Sequence, residues 1–196
     1  LCVANGMDWR GYKTKKGQVF YLAGEGALGV RLRSKIWCEM TGGNQDQFYI
    51  STGCRNLVDS NHAKSASEAI GRAWDGTSSV FVIIDTMARN FGGNENDTQD
   101  MSLFVANVDD YLRKPFKACV TTIHHCGAIE NGRGRGSTAF RGALDTDYRV
   151  EKKDACSVLT CVKMKDAHKP KPMAFEVRGE IIEGITNEDG DPVTAP

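Results

Sequence analysis

The sequence predicts an α/β domain with a mostly parallel sheet and flanking helices, followed by antiparallel strands. Three short apolar runs, around residues 19–23, 80–84 and 119–123, have the uninterrupted apolar and β-branched character of strands covered on both faces. Helical patterns lie between these runs, and this alternation is typical of parallel strands joined by crossovers. After residue 140 the strand candidates become closely spaced, with polar turns between them, which predicts the antiparallel part.

The segments between the apolar runs carry helix signals. In "GALGVRLRSKIWCEM", after the first run, large apolar residues recur at steps of four. A second helix is expected in "SASEAIGRAWD", where Ser65 or Ser67 can cap it. A third follows the second run, with Asp97 or Thr98 as its cap and Lys114-Pro115 at its end. Its apolar face is expected to comprise Met101, Phe104, Val105, Val108, Tyr111 and Leu112.

Composition places few restrictions on function but excludes some classes. The 196 residues carry a formal net charge of zero, so a nucleic-acid contact would have to come from a local patch. No apolar stretch approaches the length of a membrane span. The seven cysteines are odd in number and include no CxxC pair, which favours reduced thiols in a cytoplasmic protein. We expect one core over residues 1–185 and a flexible tail or linker remnant over residues 186–196.

Four polar side chains follow the apolar runs where the predicted strands end. Glu25 stands between two glycines, Asp85 follows the second run directly, and His124 and His125 follow the third. Parallel strands bring these ends to one edge of the sheet, where α/β proteins bind ligands. An aspartate there can hold Mg²⁺, and a nearby carboxylate can act as a general base toward water. Each residue also has a structural interpretation: Asp85 can simply end a buried strand, Glu25 can be a solvated turn residue, and the histidines can be hydrogen-bonded at a strand end. A metal site formed by the two histidines with Cys126 is a further alternative.

Two later segments are locally basic. The glycine-rich loop of residues 127–140 carries Arg133 and Arg135, and Arg141 follows it. These arginines suit a nucleic-acid backbone or the phosphate of a neighbouring subunit, although a solvated loop has the same composition. Lys163 and Lys165 stand two apart on one strand candidate and so share a face, which fits either a nucleotide held by a neighbour or a solvated hairpin.

A phosphate-binding loop of the form GxxxxGK[ST] does not occur in the sequence. The nearest imitation is "GYKTKKGQ", residues 11–18, whose second glycine is followed by glutamine. This segment precedes a predicted strand, whereas a phosphate loop follows one. It is interpreted as a lysine-rich turn.

Taken in order, five segments resemble the RecA-like P-loop ATPases. They are "VFYLAGEGALGVRLRSKIW", "VFVIIDTMARNFGGNENDTQDMSLFVANVD", "TTIHHCG", "RGSTAFRGALDTDYRVE" and "LTCVKMKD". The resemblance is closer to the hexameric replicative helicase RepA and its phage, plasmid and mobile-element relatives, and it spans most of residues 17–178. It implies an ATPase of the helicase or translocase type that uses ATP and Mg²⁺, assembles into a ring and contacts single-stranded DNA.

The resemblance also implies roles for residues. Glu25 matches the catalytic glutamate, Asp85 matches the Walker B aspartate that supports Mg²⁺ through water, and His125 matches the sensor position, with His124 beside it. The segment of residues 127–138, with Arg133 and Arg135, corresponds to a loop that faces the DNA channel.

Residues that act between subunits are implied in the same way. Lys163 and Lys165 look like the paired basic residues that such rings insert into the adjacent subunit's site. Arg135 and Arg141 are both candidates for the arginine finger.

The family's first strand and phosphate loop have no counterpart in this sequence. The resemblance therefore implies that the chain begins before or within the helix that follows that loop, and that the chain alone binds ATP weakly or not at all. A RecA-like ATPase with a regulatory or recombination role, and a degenerate assembly domain without activity, are the alternative interpretations.

Overall fold

The computed structural model describes residues 1–125, 138–186 and 192–195. The chain divides into two compact units, residues 1–137 and 138–196. The boundary lies inside the predicted core of residues 1–185, and whether the two units work as one core stays a prediction.

A four-stranded parallel sheet forms the centre of the first unit, in the order β2-β1-β3-β4. The three predicted strands are β1, β3 and β4, so the predicted parallel sheet is confirmed. β2 was not predicted, because its five residues follow a turn-rich stretch and pair with β1 only in the folded chain. The strands are β1 (Gly17–Ala23), β2 (Phe48–Thr52), β3 (Ser79–Asp85) and β4 (Cys119–Ile123).

One helix of the first unit precedes β1, and the other helices connect the strands. Their bounds are α1 (Cys2–Asn5), α2 (Ala27–Thr41), α3 (Ser60–Ala73), α4 (Met87–Phe91) and α5 (Thr98–Asn107), which a π-helical segment (Val108–Arg113) continues.

The caps test the predicted helix starts. The Asp97 carboxylate accepts the backbone N–H groups of Gln99 and Asp100 at 2.8 and 2.9 Å, which confirms Asp97 as the cap of α5. The predicted start of α3 was wrong, because Asp59 caps it by accepting the N–H of Asn61 at 2.8 Å.

The core of the first unit lies between the sheet and α3, α4 and α5. Alternate residues of β3, namely Val80, Val82 and Ile84, are buried. Phe91 of α4 and Phe104 of α5 are both 1% exposed, and their ring centroids lie 5.2 Å apart. This pair holds α4 against the core, and α4 follows β3 at the carboxyl edge of the sheet.

The second unit contains the predicted antiparallel strands. β6 pairs with β5 on one side and β7 on the other, and β8 pairs with β9. β9 lies within the segment predicted as a tail. The elements are α6 (Thr138–Ala143), β5 (Thr146–Lys153), β6 (Cys156–Met164), β7 (Met173–Phe175), β8 (Glu180–Thr186) and β9 (Pro192–Ala195). Among all described residues, no helix combines the length and apolarity that crossing a membrane requires.

Candidate functional site

The ends of three parallel strands meet at one edge of the first unit's sheet. Ala23, the last residue of β1, pairs with Asp85 at the end of β3, and Asp85 pairs with Ile123 at the end of β4. Glu25 follows Ala23 by two residues, and His125 follows Ile123 by two. The register therefore brings the chain segments that carry the predicted polar residues to one edge.

Asp85 is half-buried, and its carboxylate accepts a hydrogen bond from the Tyr21 hydroxyl. Burial, together with this hydrogen bond, raises the pKa of Tyr21 well above its usual value. The hydroxyl therefore stays protonated at neutral pH and keeps donating to Asp85. Tyr21 orients one carboxylate oxygen while the half-buried setting leaves the group reachable from solvent. The peptide bond between Asp85 and Thr86 is cis.

Gly24 allows β1 and α4 to approach closely beside Asp85. Its N–H donates to the Asp85 carbonyl oxygen at 2.6 Å. A Cβ at this position would lie 2.4 Å from the Arg89 Cβ and 2.8 Å from the Asn90 Nδ2. Only glycine fits without moving α4, and this proximity brings Arg89 close to the residue after Gly24.

That residue, Glu25, forms an ion pair with Arg89. The Arg89 Nε donates to the Glu25 Oε2 at 2.9 Å, and the two side chains are 60% and 46% exposed. Exposed pairs of this kind contribute roughly 0.2–1 kcal/mol. The contact therefore orients the Glu25 carboxylate without removing it from solvent.

Asn90 is a fully buried polar residue of α4 that the sequence did not indicate. Its Nδ2 donates to the Thr86 carbonyl oxygen at 3.0 Å, and its Oδ1 accepts the backbone N–H of Arg55 at 3.0 Å. A buried amide satisfied on both sides is costly to disturb. Asn90 thus ties α4 to the segment that follows β2.

The two histidines after β4 have different surroundings. The His124 Nε2 lies 3.3 Å from the Glu95 Oε2, and both side chains are largely buried, whereas His125 is exposed. Glu95 lies in the connection between α4 and α5 and was not anticipated from the sequence. Cys126, the third member of the alternative metal site, falls outside the described residues. Within the described part of the chain, no three His, Cys, Asp or Glu side chains are grouped to hold a metal ion.

The basic candidates of the second unit contact their own unit. The Lys163 Nζ donates to the carbonyl oxygens of Arg141 and Gly142 at 2.9 and 3.1 Å, at the carboxyl end of α6. The Lys165 Nζ lies 3.2 Å from the Asp145 carboxylate.

Of the three predicted arginines, only Arg141 lies among the described residues. The Arg141 Nε lies 3.1 Å from the Asp147 Oδ2, and the Arg141 side chain is half exposed. The exposed pair is weak, so Arg141 can exchange Asp147 for another anion. Arg133 and Arg135 lie outside the described residues.

The carboxylates at the sheet edge fit Mg²⁺ better than they fit a metal ion whose ligands all come from the protein. Mg²⁺ keeps several waters and binds through one or two carboxylates together with substrate phosphates. Asp85 offers one oriented, half-buried carboxylate, and Glu25 offers an accessible one. One residue can therefore support a hydrated cation while the other accepts a proton from water.

Comparisons with known proteins agree with this architecture. No curated protein matches the chain. The crystal structure of the RadB recombinase is similar with a TM-score of 0.56 at 15% sequence identity, over 83% of this chain and 76% of that chain. This similarity shows a RecA-like α/β fold. The model of the AAA domain family matches residues 1–128, which contain the sheet and its carboxyl edge. The chain therefore belongs to the AAA domain family.

Proposed function

We propose that this chain carries the catalytic edge of an ATP-hydrolysing protein, and that hydrolysis drives movement along single-stranded DNA in a ring-shaped helicase of the replicative type. One observation carries the proposal: two carboxylates, Glu25 and Asp85, follow neighbouring parallel strands at one edge, in a chain of the AAA domain family. ATP hydrolysis needs both a supported Mg²⁺ and an activated water.

Each residue has a distinct role in this proposal. Glu25 accepts the proton of the attacking water, and Asp85, oriented by Tyr21, would hold the waters of a bound Mg²⁺. Bound Mg²⁺ would neutralise charge on the phosphates of ATP. His125, exposed after β4, donates to a phosphate oxygen and reports the nucleotide state, and His124 beside it connects that strand end to Glu95.

No GxxxxGK[ST] pattern occurs in the 196 residues, so the residues proposed above do not include a loop that binds the phosphates of ATP. The proposal therefore includes a phosphate-binding loop contributed from outside residues 1–196, and the upstream gene sequence tests that part directly. An intact motif there supports an active ATPase, whereas a gene without one favours the degenerate assembly domain.

DNA and neighbouring subunits are proposed to act through basic residues. Arg133 and Arg135 contact single-stranded DNA in the channel of the ring. Three further basic side chains are proposed to bind the phosphates of the nucleotide in the adjacent subunit, in place of their present partners. They are Arg141, Lys163 and Lys165.

Replacing Arg133 and Arg135 together with alanine is expected to weaken single-stranded DNA binding and to remove its stimulation of ATP hydrolysis. The loss of two phosphate contacts makes the negative slope of log K against log salt shallower by about 1.4. Affinity and ATPase rate are measured on the full product of the gene across a salt series. The matched control replaces Lys152 and Lys153, which lie on β5, with alanine and should leave DNA affinity unchanged. Unchanged DNA affinity in the arginine variant would contradict this part of the proposal.

A recombination role is the second candidate, and the similarity to the RadB recombinase favours it. The two functions share one ATPase edge but differ in what hydrolysis does. A helicase displaces a strand from a forked duplex in an ATP-dependent reaction. A recombination protein is stimulated by single-stranded DNA and leaves the fork intact, so a strand-displacement assay separates them.

Replacing Arg89 with alanine is expected to lower kcat about two- to fivefold and to leave KM unchanged. Arg89 is a positioning residue that orients Glu25 through an exposed ion pair, and pairs of this kind contribute at most about 1 kcal/mol. Arg89→Lys should restore most of the rate because it keeps a cation beside the carboxylate. The control is Arg72→Ala, in the last turn of α3. A raised KM, or no rescue by lysine, would assign Arg89 a different role.

A further inference from the structure

The turn that precedes β1 is the most basic and aromatic short segment of the first unit. Between residues 9 and 16 it carries two aromatic and four basic side chains and no acidic one. They are Trp9, Arg10, Tyr12, Lys13, Lys15 and Lys16. We propose that this segment, which we call the aromatic turn, binds single-stranded nucleic acid. The bases would stack on its rings, and the phosphates would form ion pairs with its lysines.

The backbone presents the two rings on one side of a tight turn. Trp9 and Tyr12 exchange both backbone hydrogen bonds at 2.8 Å, so their side chains share a face. The two residues between them, Arg10 and Gly11, have φ values of 48° and 84°, which is the geometry of a two-residue hairpin turn. The ring centroids lie 6.4 Å apart, and the side chains are 39% and 49% exposed. Large aromatic faces are therefore available to solvent next to each other.

The aromatic turn is held in place by the rest of the unit. The Thr14 hydroxyl donates to the Met7 carbonyl oxygen at 2.8 Å. The stem of Lys16 lies against Gly6, where a Cβ would stand 3.1 Å from the Lys16 Cβ. A preformed surface loses little conformational entropy on binding, which favours a partner that supplies only faces and charges.

The three lysines of the aromatic turn are available for an anionic partner. Lys13, Lys15 and Lys16 are exposed, and the ion pairs among the described residues include none of them. The whole chain has a formal net charge of zero, so this is a local concentration of positive charge. Aromatic faces interleaved with lysines match an unpaired strand, whose bases expose their faces and whose backbone carries one charge per nucleotide. A duplex hides those faces, and an acidic peptide offers the charge without them.

This surface is separate from the candidate catalytic edge. The aromatic turn lies at the amino end of β1, whereas Glu25 follows its carboxyl end, and a seven-residue strand spans about 20 Å. It also shares no residue with the loop of Arg133 and Arg135. The inference therefore adds a second nucleic-acid contact to the proposed function and does not depend on it.

The test is a titration of the 196-residue chain with oligothymidylate, without nucleotide. The tryptophan emission of the native chain should be quenched, and Trp9→Phe should abolish the quenching while binding a labelled oligonucleotide within about threefold of the native chain. Trp9→Ala and Tyr12→Ala should each weaken binding about fivefold or more, because stacking contributes about 1–3 kcal/mol per base. Replacing Lys13, Lys15 and Lys16 with glutamine should make the negative slope of log K against log salt shallower by about 2.

Matched variants distinguish this surface from general charge and from the DNA loop. Replacing Lys64, Lys152 and Lys153 with glutamine removes equal charge elsewhere and should leave the affinity unchanged. Arg133→Ala/Arg135→Ala should keep the Trp9 quenching, even if the proposed function fails in every other assay. Quenching that is absent in the native chain, that polyglutamate reproduces, or that persists in Trp9→Phe would overturn the inference.

Discussion

Glu25→Gln is expected to lower the kcat of ATP hydrolysis by about 10²–10⁴-fold while nucleotide binding is retained, because glutamine cannot accept the proton of the attacking water. The side chain keeps its size and can still accept a hydrogen bond from the Arg89 Nε, which lies 2.9 Å from Oε2 in the native pair. The variant therefore removes the base and leaves the surroundings of the sheet edge nearly unchanged. The measurement is steady-state hydrolysis by the full product of the gene, together with the affinity for ATP.

Glu39→Gln is the matched control for that experiment. Glu39 is an exposed glutamate of α2 that pairs with Lys35 at 3.8 Å along one helix face. Its loss should leave kcat within twofold of the native value. If Glu25→Gln hydrolyses ATP at the native rate, another group activates the water, and the role assigned to Glu25 is wrong.

Phe91→Ala is expected to destabilise the first unit by about 3–5 kcal/mol, because it opens a cavity beside Phe104 in a closely packed core. Whole domains are stable by only about 5–15 kcal/mol, so this is a large fraction of the total. The three tryptophans of the chain, Trp9, Trp37 and Trp74, all lie in residues 1–137, so their emission during urea unfolding reports on this unit.

The stability experiment also has internal controls. Phe91→Leu should cost clearly less than Phe91→Ala because it fills most of the space. Leu103→Ala, beside Phe104 in sequence but 43% exposed, should cost under about 1 kcal/mol. An equal loss in Leu103→Ala and Phe91→Ala would mean that the aromatic pair does not hold α4 against the core.

The sequence predicts the strand ends of the site better than the contacts between them. Apolar runs separated by helical patterns predict parallel strands, and parallel strands bring the segments that carry Glu25 and Asp85 to one edge. The hydrogen bond from Tyr21 to Asp85 depends on the register that pairs Ala23 with Asp85. Local sequence does not specify that register, because it follows from the packing of the whole sheet.

The same reason explains what was missed around α4. Arg89 and Asn90 read as ordinary residues of a short helix, and their roles arise because Gly24 lets that helix lie against β1. The start of α3 was missed because its first turn, after Asp59, is polar and shows apolar periodicity only from Ala63 onward. Periodicity indicates where a helix is buried and says little about its exposed first turn.

The position of Trp9 has an optical consequence. A fluorescent nucleotide bound beside Glu25 would lie at the far end of β1, about one strand length from the indole. Trp9 is thus a suitable donor for energy transfer, and the difference in emission between the native chain and Trp9→Phe gives its signal apart from the other two tryptophans. The seven residues of β1 fix the distance between the aromatic turn and the carboxyl end of the strand. A change in transfer efficiency would therefore report movement of the bound nucleotide relative to the sheet.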